Sequence, residues 1–263
     1  DSSHWRLIDA AGNTVTDLAG AGVHNAGRVQ EGRCWFANSA GGYGYLDGAG
    51  RVVVKPTFQR TFNFSGGRAR AVADQTTGLI DTAGNWVLPP GEFLRIEDFD
   101  PVSGLAAAQP KSRRGKVLLD RDGREVTPLY TALRPAGEGY FAFKDGLRYG
   151  LLDTTGAILL RDRYAVIGPV SERVVQVKER ADGRWSLIDL RAGGKPFLPE
   201  TFDRVDPFCE GYLLVQERGD EPETRYLVDR NGRRLPGGGP DLLLVGGGGF
   251  AARLDPTDRD LQY

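Results

Sequence analysis

Seven aspartates recur along this 263-residue chain, at Asp9, Asp47, Asp81, Asp120, Asp153, Asp189 and Asp229. Repeated carboxylates invite a cation. Alternating oxygen ligands ahead of a glycine can wrap calcium, and Asp120-Arg121-Asp122-Gly123 and Asp229-Arg230-Asn231-Gly232 come nearest to that pattern. Neither supplies a third alternating acid. The same spacing returns as Asp9-Ala10-Ala11-Gly12 and Asp153-Thr154-Thr155-Gly156, which offer nothing comparable to coordinate with. The unit therefore reads as a hairpin turn, in which Asp accepts a hydrogen bond from the backbone two residues on and Gly supplies a positive φ. No metal is expected.

Other reactive residue types are no more suggestive. His4 and His24 are the only histidines, and no Cys or acid pattern accompanies them at zinc spacing. A Gly-x-Ser-x-Gly elbow is absent, and with 35 acids in the chain a pair of carboxylates marks no glycosidase site. The Gly-rich stretches 237–239 and 246–249 lack the Lys-Ser/Thr of a phosphate loop and read as links. Cys34 and Cys209 are expected as buried thiols rather than as a disulfide. The expectation is a noncatalytic chain without a cofactor.

The elements that carry these residues repeat. Each Asp ends a short aliphatic stretch, as in Tyr45-Leu46-Asp47 and Leu151-Leu152-Asp153, and the steps between successive Asp residues run from 33 to 40 residues. In six copies Gly follows three residues later; the copy at Asp189 has one extra residue before Gly193. A short strand comes next, commonly ended by Pro (Pro56, Pro89, Pro128, Pro199, Pro236), then an aromatic (Phe58, Phe93, Tyr130, Tyr164, Phe202) and a short connection. An alternating strand such as Arg68-Ala69-Arg70-Ala71-Val72 opens the following copy. Each copy thus has three clear strands and a fourth short one, and no segment keeps a helical period.

The first copy starts inside its second strand, whereas Gly249-Phe250-Ala251-Ala252-Arg253-Leu254 is a first strand with no copy after it. The two leftovers are complementary, and joining them removes the free edge of a ring. The expected fold is an all-β, seven-bladed β-propeller in a single repeat domain, 1–263. Blade 1 is built from 4–28 plus 249–255, and the other blades lie at about 29–65, 66–103, 104–138, 139–171, 172–210 and 211–248. A β-solenoid of hairpin repeats is the alternative.

The repeat resembles the WG-repeat family of bacterial proteins, whose unit runs through an alternating strand, Trp-Gly-(Tyr)-Ile-Asp, a Gly turn, an apolar strand, Pro, an aromatic and Gly. Four residues before the Asp this chain has Trp5, Tyr43, Tyr149 and Trp185, and the family's glycine stands as Gly44, Gly78 and Gly150. No copy keeps Trp and Gly together; the match is carried by the Asp turn, the Pro and the spacing. The resemblance implies a noncatalytic binding or accessory module of the bacterial envelope, with no catalytic residues to carry over. With no Met at residue 1 or elsewhere, it leads to the expectation of a periplasmic or extracellular protein.

Charge narrows the partners. With 34 Lys+Arg against 35 Asp+Glu the formal net charge is −1, so no whole-molecule field draws the chain to nucleic acid. No apolar run approaches the roughly 18 residues of a membrane span. In an up-and-down sheet the uniform Asp turns lie at one end and the variable connections between the first and second strands at the other, which is where recognition is expected. Lys111, Arg113, Arg114 and Lys116 form a basic tip; Glu217, Asp220, Glu221 and Glu223 form an acidic one; Arg148, Tyr43 and Trp185 lie near strand starts. That polarity suits a protein partner docking in a fixed orientation. A carbohydrate-binding propeller with repeated exposed aromatics is the second expectation, and a propeller hydrolase the last.

Overall fold

The computed structural model describes residues 5–18, 22–208, 211–217, 224–235, 242–245 and 250–253. Among these every regular element is a β-strand, and every strand pairing is antiparallel. None of them is a helix long and apolar enough to cross a membrane. The chain forms two compact units, 1–133 and 134–263.

In the first unit β1 (Arg6–Ile8) pairs with β2 (Thr14–Asp17). A four-stranded meander follows: β3 (Val23–Ala26), β4 (Arg33–Asn38), β5 (Tyr43–Asp47) and β6 (Val52–Phe58). Next comes a six-stranded meander of β7 (Arg60–Thr61), β8 (Ala69–Ala73), β9 (Thr76–Ile80), β10 (Trp86–Ile96), β11 (Ala106–Pro110) and β12 (Val117–Leu119). The second unit holds β13 (Ala132–Gly137), β14 (Tyr140–Asp145), β15 (Arg148–Leu152) and β16 (Ile158–Tyr164) in one sheet. A second sheet there contains β17 (Val166–Ser171), β18 (Val174–Lys178), β19 (Ser186–Asp189) and β20 (Lys195–Pro196). After these come β21 (Arg204–Val205), β22 (Tyr212–Glu217) and β23 (Thr224–Asp229), then the pair β24 (Leu242–Val245) and β25 (Phe250–Arg253).

The sheets are offset from the repeat as the sequence frames it. The fourth strand, just after the aromatic, pairs with the alternating strand of the next copy, so β7 joins β8 and β17 joins β18. The sheet expected over 29–65 therefore runs from Val23 to Phe58. β10 serves two copies at once: Trp86 and Leu88 pair with β9, Arg95 and Ile96 pair with β11, and Phe93 pairs with both. Pro89-Pro90-Gly91 bends it in between, with Gly91 at φ 126°.

The core is laminated. One buried layer unites Tyr45, Val54 and Phe58 of one sheet with Phe64, Ala69, Ala71 and Ile80 of the next copy. Another joins Leu151 and Leu160 to Val175, Val177 and Ile188, and a third joins Val174 and Leu187 to Val215 and Val228. Each fully buried Phe or Leu contributes about 1.5–3 kcal/mol, and a copy alone would leave such a face wet. Because sheets are covered on both sides, β9 is buried at every position and the polar alternates Arg70 and Gln176 are buried too.

The Asp turns follow the sequence expectation. At Asp9, Asp47, Asp81, Asp120, Asp153 and Asp229 the carboxylate Oδ1 accepts the backbone N–H groups two and four residues on. The Asp carbonyl accepts the Gly N–H, giving a type I turn with a bulged glycine. The extra residue at Asp189 leaves only the Arg191 N–H on that carboxylate among these contacts. Gly84, at φ 87°, is fixed for a second reason: a Cβ there would lie 2.8 Å from both Cγ atoms of Val54 in the preceding sheet.

These donors also set an acid limit. The Asn13 side-chain amide and then its backbone N–H hold Asp9 below the ordinary carboxyl range, and the Arg51 backbone N–H does so at Asp47. At Asp81 and Asp153 desolvation pulls upward, but hydrogen bonds led by those from Asn85 and Thr155 outweigh it. A carboxyl with a depressed folded pKa contributes stability that is complete above its unfolded value, about pH 4, and is lost as pH falls through the folded value. The melting temperature is thus expected to fall chiefly below about pH 4. The pair Asp47→Asn and Asp81→Asn, which keeps an acceptor oxygen but cannot titrate, is expected to flatten that limb. Equal acid sensitivity in both proteins would assign the loss to other carboxylates.

A second set of ties runs between copies. The two-residue turns before the alternating strands have positive φ at both central positions, as at Glu31-Gly32 (51° and 71°) and Glu172-Arg173 (49° and 61°). Glu31 accepts the N–H groups of Gly66 and Gly67 at 2.6 and 2.8 Å, and Glu138 accepts those of Glu172 and Arg173. Glu172 in turn accepts the Gly211 N–H at 2.7 Å and the Arg230 guanidinium. Glu31 and Glu138 each fill a pair of convergent amides one repeat away, and Glu172 takes one amide and a guanidinium; the sequence reading did not find these ties.

Candidate functional site

Within each sheet the Asp turns occupy one end and the connections between alternating and following strand the other. The Asp end is nearly uniform; the other end is not. Asn38 closes its loop by accepting the Gly42 N–H at 2.8 Å, while β8 and β9 meet through Asp74-Gln75 alone, at φ 50° and 60°. The connection from β11 to β12 spans 111–116, and that from β18 to β19 spans 179–185. The corresponding 218–223, with Asp220, Glu221 and Glu223, lies outside the described residues, as do Cys209 and His4.

The basic tip is half neutralised by its own neighbours. Arg113 pairs with Glu125 and Lys116 with Glu97. Lys111 and Arg114 are exposed, and their side chains have no partner among the described residues. A cleft of about 460 Å³ opens here, lined by Lys111 together with Glu92, Phe93, Pro110, Arg113 and Glu125. The cations at this tip without a partner among the described residues are therefore Lys111 and Arg114. Glu97 and Glu125 were not legible as their counterweights, because they sit 19 and 12 residues from their partners.

The aromatic positions are less open than expected. Tyr43 lies opposite Phe58, is half-buried and packs 5.9 Å from Trp35. Trp185 bridges to Phe202, is also half-buried, and carries Lys178 Nζ 4.8 Å above its ring. Tyr149 has the matching Lys144 at 5.4 Å. At Trp185 and Tyr149 a lysine thus covers the aromatic face that a repeated sugar site would use. Arg148 donates to the Glu179 carbonyl, tying the start of β15 to the connection after β18. Glu217 accepts the Tyr226 hydroxyl at 2.6 Å, and burial together with that carboxylate drives the phenol pKa upward.

Nothing in these contacts assembles a nucleophile with a base. Cys34 is buried, its thiol donates to the Gly27 carbonyl at 3.2 Å, and burial pushes its pKa up, away from thiolate chemistry. The turn aspartates spend Oδ1 on the backbone N–H groups of their own turns.

No curated protein matches the chain in sequence. Among solved structures, one described as the eukaryotic initiation factor is similar at 15% identity and a TM-score of 0.47, over 78% of this chain and 62% of that one. The chain thus spans less than two thirds of that structure's length. BamB from Moraxella catarrhalis is similar at 13% identity and a TM-score of 0.37, over 80% of this chain and 74% of that one. AztD from Citrobacter koseri is similar at 16% identity and a TM-score of 0.36, over 80% and 70%. The model of the WG-containing repeat matches twice in succession, at residues 43–75 and 78–109, each spanning an aromatic or Gly strand start, an Asp turn and the strand that follows. Over residues 43–75 and 78–109 the chain carries two WG-containing repeats.

Proposed function

We propose that this chain is a noncatalytic binding module of the bacterial envelope, periplasmic or extracellular, that recognises another protein through its variable connections. In this reading the repeats form a seven-bladed propeller, closed by 249–255 completing the copy at 4–28, and the module serves as scaffold, accessory subunit or inhibitor of an exported enzyme or toxin. One observation carries it: Lys111 and Arg114 stand exposed and without a partner among the described residues, Lys111 on an open cleft, while the neighbouring Arg113 and Lys116 are satisfied internally. Unpaired charge on a rigid hairpin steers and orients a partner, so the partner's surface is acidic.

Affinity capture from an envelope extract, with wild type beside the Lys111→Glu, Arg114→Glu double variant, tests this. One stoichiometric protein retained by wild type and lost by the variant is the expected result, with capture weakening as salt rises. Retention by both, or by neither, would remove the tip from recognition.

A further inference from the structure

A different cleft, of about 440 Å³, lies within the first unit between the β3–β6 sheet and the β7–β12 sheet. Trp35 and Tyr43 form its aromatic side; Arg60, Asn63, Arg70 and Asp98 form much of its polar side. Trp35 and Arg70 occupy the same place in successive alternating strands, two residues beyond Arg33 and Arg68.

Arg70 is the unusual member. Its side chain is 10% exposed, its guanidinium lies 3.8 Å above the Phe62 ring, and it donates to the Ile96 carbonyl at 2.8 Å and to Asp98. Three of its five N–H donors have no partner among the described residues. Its carboxylate partner is 87% exposed, so water competes for Asp98 while Arg70 stays desolvated. Arg60 places its guanidinium carbon 5.0 Å from the centroid of the same Phe62 ring. Two cations against one carboxylate leave the cleft one positive charge in excess.

We propose that this cleft binds a hexuronic acid residue of an acidic saccharide. The sugar carboxylate meets Arg60 and the unused donors of Arg70, its hydroxyls meet Asp98 and Asn63, and its C–H face lies against Trp35 and Tyr43. An acidic peptide fits less well: it brings carboxylates without the hydroxyls that Asp98 needs, and Asp98 repels a second negative charge. The volume is that of a small-ligand pocket. This site is separate from the Lys111 and Arg114 tip, so each stands without the other.

Calorimetric titration of the whole chain with trigalacturonic acid tests it. Saturable binding is expected, absent for the methyl-esterified trimer and for triglutamate. Arg60→Ala is expected to raise Kd at least about tenfold while leaving the melting curve unchanged, since Arg60 is exposed. The Lys111→Glu, Arg114→Glu variant is expected to bind like wild type. No saturable binding, equal binding of the ester or the peptide, or an unchanged Kd in a folded Arg60→Ala protein would each overturn the proposal.

Discussion

Gly150→Ala is expected to destabilise the fold by about 3 kcal/mol, the upper end for forcing an atom into a packed site. Gly150 lies directly opposite Phe143 in the β14–β15 register, and a Cβ would stand 2.3 Å from the Phe143 ring and 2.6 Å from the Leu160 carbonyl oxygen. Neither neighbour can give way: Phe143 is 1% exposed, and the carbonyl belongs to the strand that curls over β15. Gly44 and Gly78 meet the same obstacle, with Cβ positions 2.4 Å from the Val54 oxygen and 2.5 Å from the Leu88 oxygen. The glycine that marks the WG repeat is thus the place where its last strand crosses close above its third. For a chain of this size the loss should appear as a melting temperature lowered by about 6–12 °C. Gly48→Ala serves as the control, since a Cβ there meets nothing within 4 Å, and it should stay within about 0.5 kcal/mol of wild type. Melting of Gly150→Ala alongside that control would show that the crossing strand yields.

What the sequence revealed of this fold follows how far each interaction reaches along the chain. The Asp turns were legible because donor and acceptor lie two and four residues apart, and the all-β repeat was legible because every copy spells out the same strand and turn chemistry. The pairing of β7 with β8 was not, since a two-residue strand carries no period and its partner begins only after another turn. Arg70 misleads for a related reason: alternation marks it as outward-facing, but a sheet covered on both sides has no outward face there, and the guanidinium is buried against Phe62 and the Ile96 carbonyl. At the candidate site the loop positions could be read from spacing, whereas the neutralisation of Arg113 by Glu125 and Lys116 by Glu97 depends on strands returning side by side. Tyr43 and Trp185 were marked as strand starts correctly, but their half-burial comes from Phe58 and Phe202 across the ladder.

Loss of the Glu172 carboxylate is expected to cost about 2 kcal/mol, the range of charge-assisted hydrogen bonds left unmade. Glu172 sits in the turn before β18, with its carboxylate 21% exposed and directed at the Gly211 N–H and at Arg230 in the next copy. Removing it strands an amide at a tight turn and frees a guanidinium whose pKa is held up by that same carboxylate. Glu172→Gln keeps an acceptor for the Gly211 N–H but loses the ion pair, so it should recover roughly half the loss. Arg230→Ala isolates the remainder: the double variant should fall short of additivity, because the two side chains share one contact. The backbone of Glu172 is meanwhile held by Glu138, so the clasp is a relay across three successive copies. Hydrogen exchange should therefore rise in Glu172→Ala at Gly211 and the start of β22, and leave the Asp153 turn protected, because that turn closes on its own carboxylate. If exchange rose evenly through the second unit, the clasp would be one contact among many in a single cooperative block. Confined to the β22 side, it identifies Glu172 as the tie by which its repeat holds the next.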